Sequence, residues 1–363
     1  MRIAQISPLT ESVPPRLYGG TERVVSYLTE ELVRQGHDVT LFASGDSITN
    51  SQLIAGCPRA LRLENNSLDS LSHHILMLEK IWQHAHEFDI IHNHIDYLPF
   101  SMLKRVPTPA ITTLHGRLDI PDLQPLYREF KEMGLVSISN SQRRPLPWAN
   151  WQETVYHGLP MELYNPCLTP SDYLAFIGRI SPEKGVDRAV EIALRSGRPL
   201  KIAAKIDKVD REYYHSKIVP LLKAPGIEFI GEISDSEKNA FLGNAAALLF
   251  PVDWPEPFGI SMIEAMACAT PAIAFDRGSV PEVVEDGVSG FIVQNIPEAV
   301  EAVAKIGKLN RATVRRTFES RFSVNRMAQD YIRIYRNQSE VRSVSAPKKV
   351  LSFAGTKGEV MSF

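Results

Sequence analysis

Residues 246–275 read AALLFPVDWPEPFGISMIEAMACATPAIAF. Residues 246–250 are an apolar run of strand length, and 272–275 are another. Between them, 259–267 carry helical spacing, opened by Gly259 and preceded by a loop holding three prolines. Strand, helix and strand in so short a span make a βαβ unit, and such units build parallel sheets covered on both faces.

The same rhythm extends in both directions. Upstream, 173–177, 200–204 and 227–230 read as strands and 185–196 as a helix. Downstream, 291–293 is a last short strand, and helices near 297–308 and 324–336 close the fold. Pro160, Pro166 and Pro170 interrupt any periodic element over 155–170, which marks a boundary. Before it the alternation runs again. Residues 2–6, 39–43, 89–92, 110–114 and 135–139 are strands, and 21–35 and 68–86 are helices. The first helix is set by Val24, Val25, Leu28, Leu32 and Val33, with Gly36 placed to end it. Two α/β halves of similar size imply a cleft, with ligands outside the carboxyl ends of the strands. Residues after about 341 lack either periodicity and read as a tail, in which Val350, Leu351 and Phe353 are candidates for docking.

Composition narrows the function. The chain has 363 residues, more than one core usually supports, with 44% hydrophobic and 23% charged residues, an ordinary globular profile. Forty basic against forty-two acidic residues, a net charge of -2, give no basic excess or stripe for nucleic acid. Acids outnumber bases in residues 1–168, so no broad basic face is expected for anionic membrane, although Lys104–Arg105 and Arg143–Arg144 leave room for a local patch. Cys57, Cys167 and Cys268 are too far apart for a metal site or a disulfide framework. MRIAQISP reads as a first strand rather than a signal peptide, and no apolar run approaches the roughly 20 residues that span a bilayer. The expectation is a cytoplasmic protein, with reversible contact at the inner face of the membrane left open.

Four segments carry chemistry. In EPFGISMIEAMA, Glu256 precedes the helix and Glu264 lies inside it. The free N–H groups at Gly259, Ile260 and Ser261 suit a phosphate. A carboxylate suits sugar hydroxyls, because it accepts from two neighbours. An amphipathic helix with a capping acid is the plain alternative. In GRISPEKG, Gly178 lets backbone approach a ligand, Arg179 offers a planar fork for phosphate and Lys184 a point charge. Two solvated cations before a helix would look the same. His115 stands at a strand end in TTLHG, where most lone histidines are structural or exposed. Gly19 and Gly20 open the first helix in YGGTER, permitting close approach, as would an ordinary flexible loop.

Together these segments resemble the retaining glycosyltransferases of family 4, which have the α/β GT-B fold of two Rossmann-like domains facing across a cleft. The resemblance runs in order over roughly residues 1–335 and rests first on Glu256-x7-Glu264. It also rests on GRISPEKG, the Gly19–Gly20 loop with its helix ending near RQGHDV, and FDIIHNH at 88–94. It implies an acceptor-side domain over 1–165, a donor-binding domain over 166–320, a helix over 321–340 returning to the first domain, and a tail over 341–363.

The resemblance also implies roles. Arg179 and Lys184 would hold the donor diphosphate. Glu256, with the N–H groups of Phe258, Gly259 and Ile260, would hold the sugar. Glu264 would bind the ribose diol, and His115 would sit beside the sugar near its 6-hydroxyl. Gly20, with Gly19, would approach the phosphates from the other domain. Gly231, Glu232 and Ile233 would border the base, and Lys205 would reach the site from a neighbouring strand end. Glu22, His94, Asp96 and Tyr97 are the acceptor-side candidates. Trp148 and Trp151 are read as packing residues.

The expected reaction moves a hexose, with UDP-glucose as the leading donor, to a hydroxyl of a saccharide or lipid-linked saccharide. Cations and helix N–H groups would stabilise the departing diphosphate. No Asp-x-Asp triplet is present, so neither a metal nor a cofactor is expected. A sugar-nucleotide epimerase and a non-catalytic nucleotide-sugar-binding protein are the competing readings. The absence of G-x-G-x-x-G after the first strand argues against a dehydrogenase.

Overall fold

A computed structural model describes residues 1–17, 19–62 and 69–345, with side chains as far as residue 340. Tyr18, Leu68 at the start of the expected 68–86 helix, and Val350, Leu351 and Phe353 of the expected tail lie outside the described residues.

The first half forms a seven-stranded sheet from β1 (Arg2–Ile6), β2 (Asp38–Ser44), β3 (Gln52–Cys57), β4 (Ile90–Asn93), β5 (Ala110–Thr113), β6 (Gly134–Ser137) and β7 (Trp151–Thr154). The second half forms a six-stranded sheet from β8 (Leu174–Arg179), β9 (Leu200–Lys205), β10 (Ile227–Gly231), β11 (Ala247–Phe250), β12 (Ala272–Phe275) and β13 (Gly290–Val293). Their orders are β3-β2-β1-β4-β5-β6-β7 and β10-β9-β8-β11-β12-β13. Every pairing between these strands is parallel. Each sheet reverses its winding once, between β1 and β4 and between β8 and β11, and ligand crevices open at such switch points.

The central strands β4, β11 and β12 are buried along their whole length; β11 and β12 appear in the sequence as unbroken apolar or small-residue runs, whereas β4 turns polar at His92 and Asn93. The main helices are α1 (Gly20–Arg34), α2 (Ser70–His84), α3 (Leu123–Glu129), α4 (Val186–Ser196), α5 (Asp235–Gly243), α6 (Ile260–Ala267), α7 (Ile296–Lys305), α8 (Arg311–Arg321) and α9 (Val324–Ser345). Gly197 ends α4 in the left-handed region, at φ 69°, which a side chain rarely adopts.

Helix α9 packs on α1 and β4, in the first half. The crossing is tight. Leu159 bridges Ser323, and a Cβ at Gly158 would lie 2.4 Å from the Ser323 carbonyl oxygen. Arg326 donates to the carbonyls of Tyr156 and His157 at 2.6 and 3.1 Å. Asn325 reaches Glu31 of α1 at 3.1 Å. One buried cluster runs from Ile3 and Leu28 through Phe258, Phe318 and Phe322 to Tyr331 and Tyr335, so the halves share a core. Among the described residues, no helix is long and apolar enough to cross a membrane.

Candidate active site

The carboxyl ends of the two sheets enclose a cavity of about 450 Å³, within the range of small-molecule sites. Its second-half wall begins where β11 ends. The chain passes through Trp254 and Glu256, turns at Gly259 and enters α6 at Ile260. Gly259 has φ 81°, and a Cβ there would lie 2.7 Å from Met262 Cε and 2.8 Å from Phe250 Cζ. Only glycine suits both that conformation and that space. The loop before it is pinned from behind: Ser279 N–H donates to the Glu256 carbonyl at 2.9 Å and Ser279 Oγ to the Phe258 carbonyl at 2.8 Å. Gly278, at φ 59°, is so close that a Cβ would lie 2.3 Å from the Glu256 backbone nitrogen and oxygen.

Glu256 is buried at 8% exposure and its Oε2 receives two donors. Lys184 Nζ lies at 2.5 Å and Trp254 Nε1 at 2.7 Å. Lys184 also stands 5.1 Å from the Trp254 ring centroid, close enough for cation–π attraction. Deeper along α6, Glu264 is 3% exposed. Its Oε1 accepts from Lys238 Nζ at 2.7 Å and from Tyr164 OH at 3.2 Å. Burial opposes its charge, but Lys238 and Arg23 outweigh that and hold the carboxyl below its ordinary value. Burial also lowers Lys238, against the pull of Glu264. Lys238 lies 3.2 Å from Asp235, which in turn pairs across the cavity with Arg23 of α1.

The first-half wall is the Gly19–Gly20 loop and the start of α1. An ideal Cβ on Gly20 would be 3.6 Å from Ile260 Cδ1, so the two helix starts face one another. Glu11 and Glu22 line the same wall. Burial pushes Glu11 up to about 7, opposed by Arg62, and burial likewise raises Glu22. A carboxyl that is partly protonated near neutrality repels an incoming anion less.

His115 stands on the cavity wall at the end of β5. Its Nε2 lies 2.9 Å from His94 Nδ1, and its ring stacks on His157 at 5.4 Å between centroids. Burial pushes His115 down to about 3 and lowers His92, His94 and His157 well below the ordinary histidine value. All four are therefore neutral imidazoles.

Of the residues expected from the sequence, the cavity brings together His115, Lys184, Glu256, Gly19, Gly20, Gly178, Lys205, Glu232, Ile233, Phe258, Gly259, Ile260, Glu264 and Glu22. Arg179 is not on its lining. The guanidinium of Arg179 turns to Glu183, and also to Asp207 at 3.8 Å and Asp210 at 3.3 Å. Lys205 pairs with Asp207 at 2.7 Å. Gly231, at φ 80°, sits one residue behind the lining. His94 and Asp96 line a smaller cavity of about 360 Å³ that meets the first at His115 and Thr21. Asp96 is held at φ 50°, rare for a residue with a side chain, and burial pushes its carboxyl up to about 6. Tyr97 lines neither cavity; it is 41% exposed, with its ring edge-on to Tyr127.

Sequence reasoning gave no role to Arg23, Lys238, His157 or Glu11, which also line this cavity. Lys238 sits on α5, whose start carries a capping box between Ser234 and Glu237, a pattern legible in the sequence. Trp151 donates Nε1–H to the Leu146 carbonyl at 2.8 Å, and Trp148 lies under Arg128 at 4.5 Å, both away from the cavity.

Comparison with known proteins agrees with this architecture. Residues 18–159 match the model described as Glycosyltransferase Family 4, and residues 168–318 match the one described as Glycosyl transferases group 1. The chain is 24% identical over 373 residues to the phosphatidyl-myo-inositol mannosyltransferase of Mycobacterium leprae, covering 92% of this chain and 96% of that protein. It is 27% identical over 352 residues to the alpha-maltose-1-phosphate synthase of Mycolicibacterium smegmatis, covering 83% and 87%. Among solved structures, HepE of Anabaena in complex with UDP and glucose superposes with a TM-score of 0.72 at 18% identity, over 92% of this chain and 98% of that one. Two doubly wound sheets, a cleft lined by Glu256 and Glu264, and matches over both halves lead to one conclusion: the chain is a glycosyltransferase belonging to family 4, with the GT-B fold.

Proposed function

We propose that the chain transfers a hexose, from UDP-glucose before other nucleotide sugars, to a hydroxyl of a saccharide or lipid-linked saccharide. The anomeric configuration is retained and no metal takes part. One observation carries this reading. Lys184, Glu256, the N–H end of α6 and Glu264 succeed one another along one wall, with Gly20 opposite. That order matches a diphosphate with a hexose on one side and a ribose on the other. The HepE complex adds support, because that structure of the same fold holds UDP and glucose.

In this reading the diphosphate sits at the start of α6, where unpaired N–H groups and Lys184 neutralise the charge that develops as the anomeric C–O bond breaks. Arg179, at the end of β8, joins it by leaving Glu183. Glu256 holds the sugar hydroxyls and Glu264 the ribose diol, while Glu232 and Ile233 border the base and Lys205 stands beside them. His115 faces the transferred sugar. The acceptor enters over Glu22, His94 and Asp96, attacks on the face the diphosphate leaves, and gives its proton to the diphosphate. Exclusion of water between the halves protects the donor from hydrolysis. The protein acts in the cytoplasm, with reversible contact at the membrane where the acceptor is lipid-linked.

A panel of UDP, GDP and ADP sugars, followed by nucleotide release with and without saccharide acceptors, tests the proposal. Acceptor-dependent release from UDP-glucose above all others is expected. Release of nucleotide without any glycosylated product would favour an epimerase. Binding with no turnover for any donor and acceptor pair would favour the binding-protein reading.

A further inference from the structure

Gln5 is wholly buried near the carboxyl end of β1 and joins two hydrogen-bonded arms. On one arm, its Oε1 accepts from His94 Nε2 at 2.8 Å. On the other, its Nε2 donates to Tyr335 OH of α9 at 3.2 Å. We propose that Gln5 and His94 are positioning residues that keep the ring proton of His115 on Nε2 and present its bare Nδ1 to the cavity. The transferred sugar must then offer a hydroxyl, not a carboxylate, beside His115. This rests on the reading that a hexose sits there and adds which hexoses are accepted.

A neutral imidazole carries one N–H and one lone pair. The proton of His94 is on Nε2, facing the Gln5 carbonyl oxygen, so its Nδ1 is a lone pair. That lone pair lies 2.9 Å from His115 Nε2, which must therefore be the donor. His115 has no second proton while it stays neutral, and desolvation in its place between His94 and His157 keeps it so. Its Nδ1 is left as an acceptor.

The second arm obeys the same polarity. Tyr335 OH, receiving from the amide of Gln5, gives its own proton to His92 Nδ1 at 2.7 Å. His92 Nε2 then donates to Thr113 Oγ1 at 2.7 Å, and Thr113 to Tyr331 OH at 2.9 Å. Turning the Gln5 amide over would reverse every proton on both arms and put a donor on His115. One side chain thus decides whether the wall accepts or donates. An acceptor facing a hexuronate would bring two lone-pair-bearing groups together with no proton between them, whereas a primary hydroxyl satisfies it.

The direct test is the ¹⁵N spectrum of the full-length protein with ring-labelled histidine, without ligand. His115 is expected to show a protonated Nε2 and a bare Nδ1; a protonated Nδ1 would overturn the proposal whatever the donor is. The second test compares kcat/KM for a hexose donor and its hexuronate counterpart in wild type and in Gln5→Met. We expect a preference of at least about 10²-fold for the hydroxyl donor in wild type, reduced about tenfold or more in Gln5→Met. A uniform loss on both donors would show a merely structural role for Gln5 and overturn the assignment. If no nucleotide sugar is turned over, the donor reading fails, and the spectrum still decides the proton on His115.

Discussion

Lys184 of the loop before α4 and Glu256 of the loop before α6 come from opposite sides of the second-half switch point and meet with Nζ 2.5 Å from Oε2. The expected phosphate cation and the expected sugar carboxylate are therefore already in contact, and a donor must share that pair rather than assemble it. Lys184→Ala is expected to lower kcat/KM by about 10² to 10³, the usual effect of removing one donor to a developing anion. Glu256→Gln should cost less than Glu256→Ala, because an amide still accepts from Lys184 and Trp254. Steady-state kinetics with unchanged circular dichroism is the check, and equal activity of all three variants and wild type would remove the assignment.

Glu264 and Lys238 form a buried pair with Tyr164 as a third member. Lys238→Met takes the ammonium partner from a buried carboxylate, leaving it the Tyr164 hydroxyl and the more distant Arg23, and should destabilise the protein by roughly 3 kcal/mol. Combining it with Glu264→Leu should destabilise less than the sum of the two single changes, because the uncompensated charge is gone. Urea unfolding of the three variants measures the coupling, and strictly additive losses would show that the two groups do not support one another.

Acid stability follows from the three buried imidazoles His92, His94 and His157 and the partly buried His115. Their pKa values are depressed in the folded state, so in unfolded chain they take up protons below about 6.5 that the folded protein refuses. Each contributes stability that is present above that pH and lost as pH falls, about 1.4 kcal/mol per pH unit. Glu11 and Asp96 have the opposite sign. They are raised to about 7 and about 6, so they favour the folded state at lower pH and offset part of the loss. The net expectation is a fall of roughly 1–3 kcal/mol per pH unit between pH 6 and 5, steeper in Glu11→Gln. Urea unfolding across that range reads the slope; stability that is flat or rising as pH falls would contradict the neutral cluster.

Gly278 tests how firmly the Glu256 loop is placed. With φ at 59° and the Glu256 backbone 2.3 Å from any added Cβ, Gly278→Ala must displace the loop. Activity should drop about tenfold or more. Gly36→Ala, at φ 82° with open space around it, should cost about 1 kcal/mol of stability and leave kinetics alone. Equal kinetic effects in the two variants would disconnect the loop from catalysis.

The reading from sequence succeeds where local physics is strong. The apolar runs of β11 and β12 are continuous because both strands are wholly buried, and the helix between them is buried from Met262 onward. The edge strands β3 and β7 escape it, since Gln52–Cys57 and Trp151–Thr154 are partly exposed and mix polar with apolar residues. Helices α3, α5 and α8 escape it as well; α8 is largely polar over RATVRRTFESR, and its start is marked only by the Asn310 cap. Within the site, Lys184, Glu256 and Glu264 were legible because glycines and strand ends surround them. The direction of Arg179 was not, because Asp207 and Asp210 reach it from another loop. Nor was the histidine network, whose partners His92 and Tyr335 are 243 residues apart.

The most direct test of the donor cleft is calorimetric titration of UDP-glucose into wild type and into Lys184→Ala. The account predicts one site per chain in wild type, at least about tenfold weaker in the variant, with UDP alone binding through the same cation. No binding of UDP-glucose, or of any UDP, GDP or ADP sugar, to the wild-type protein would contradict it.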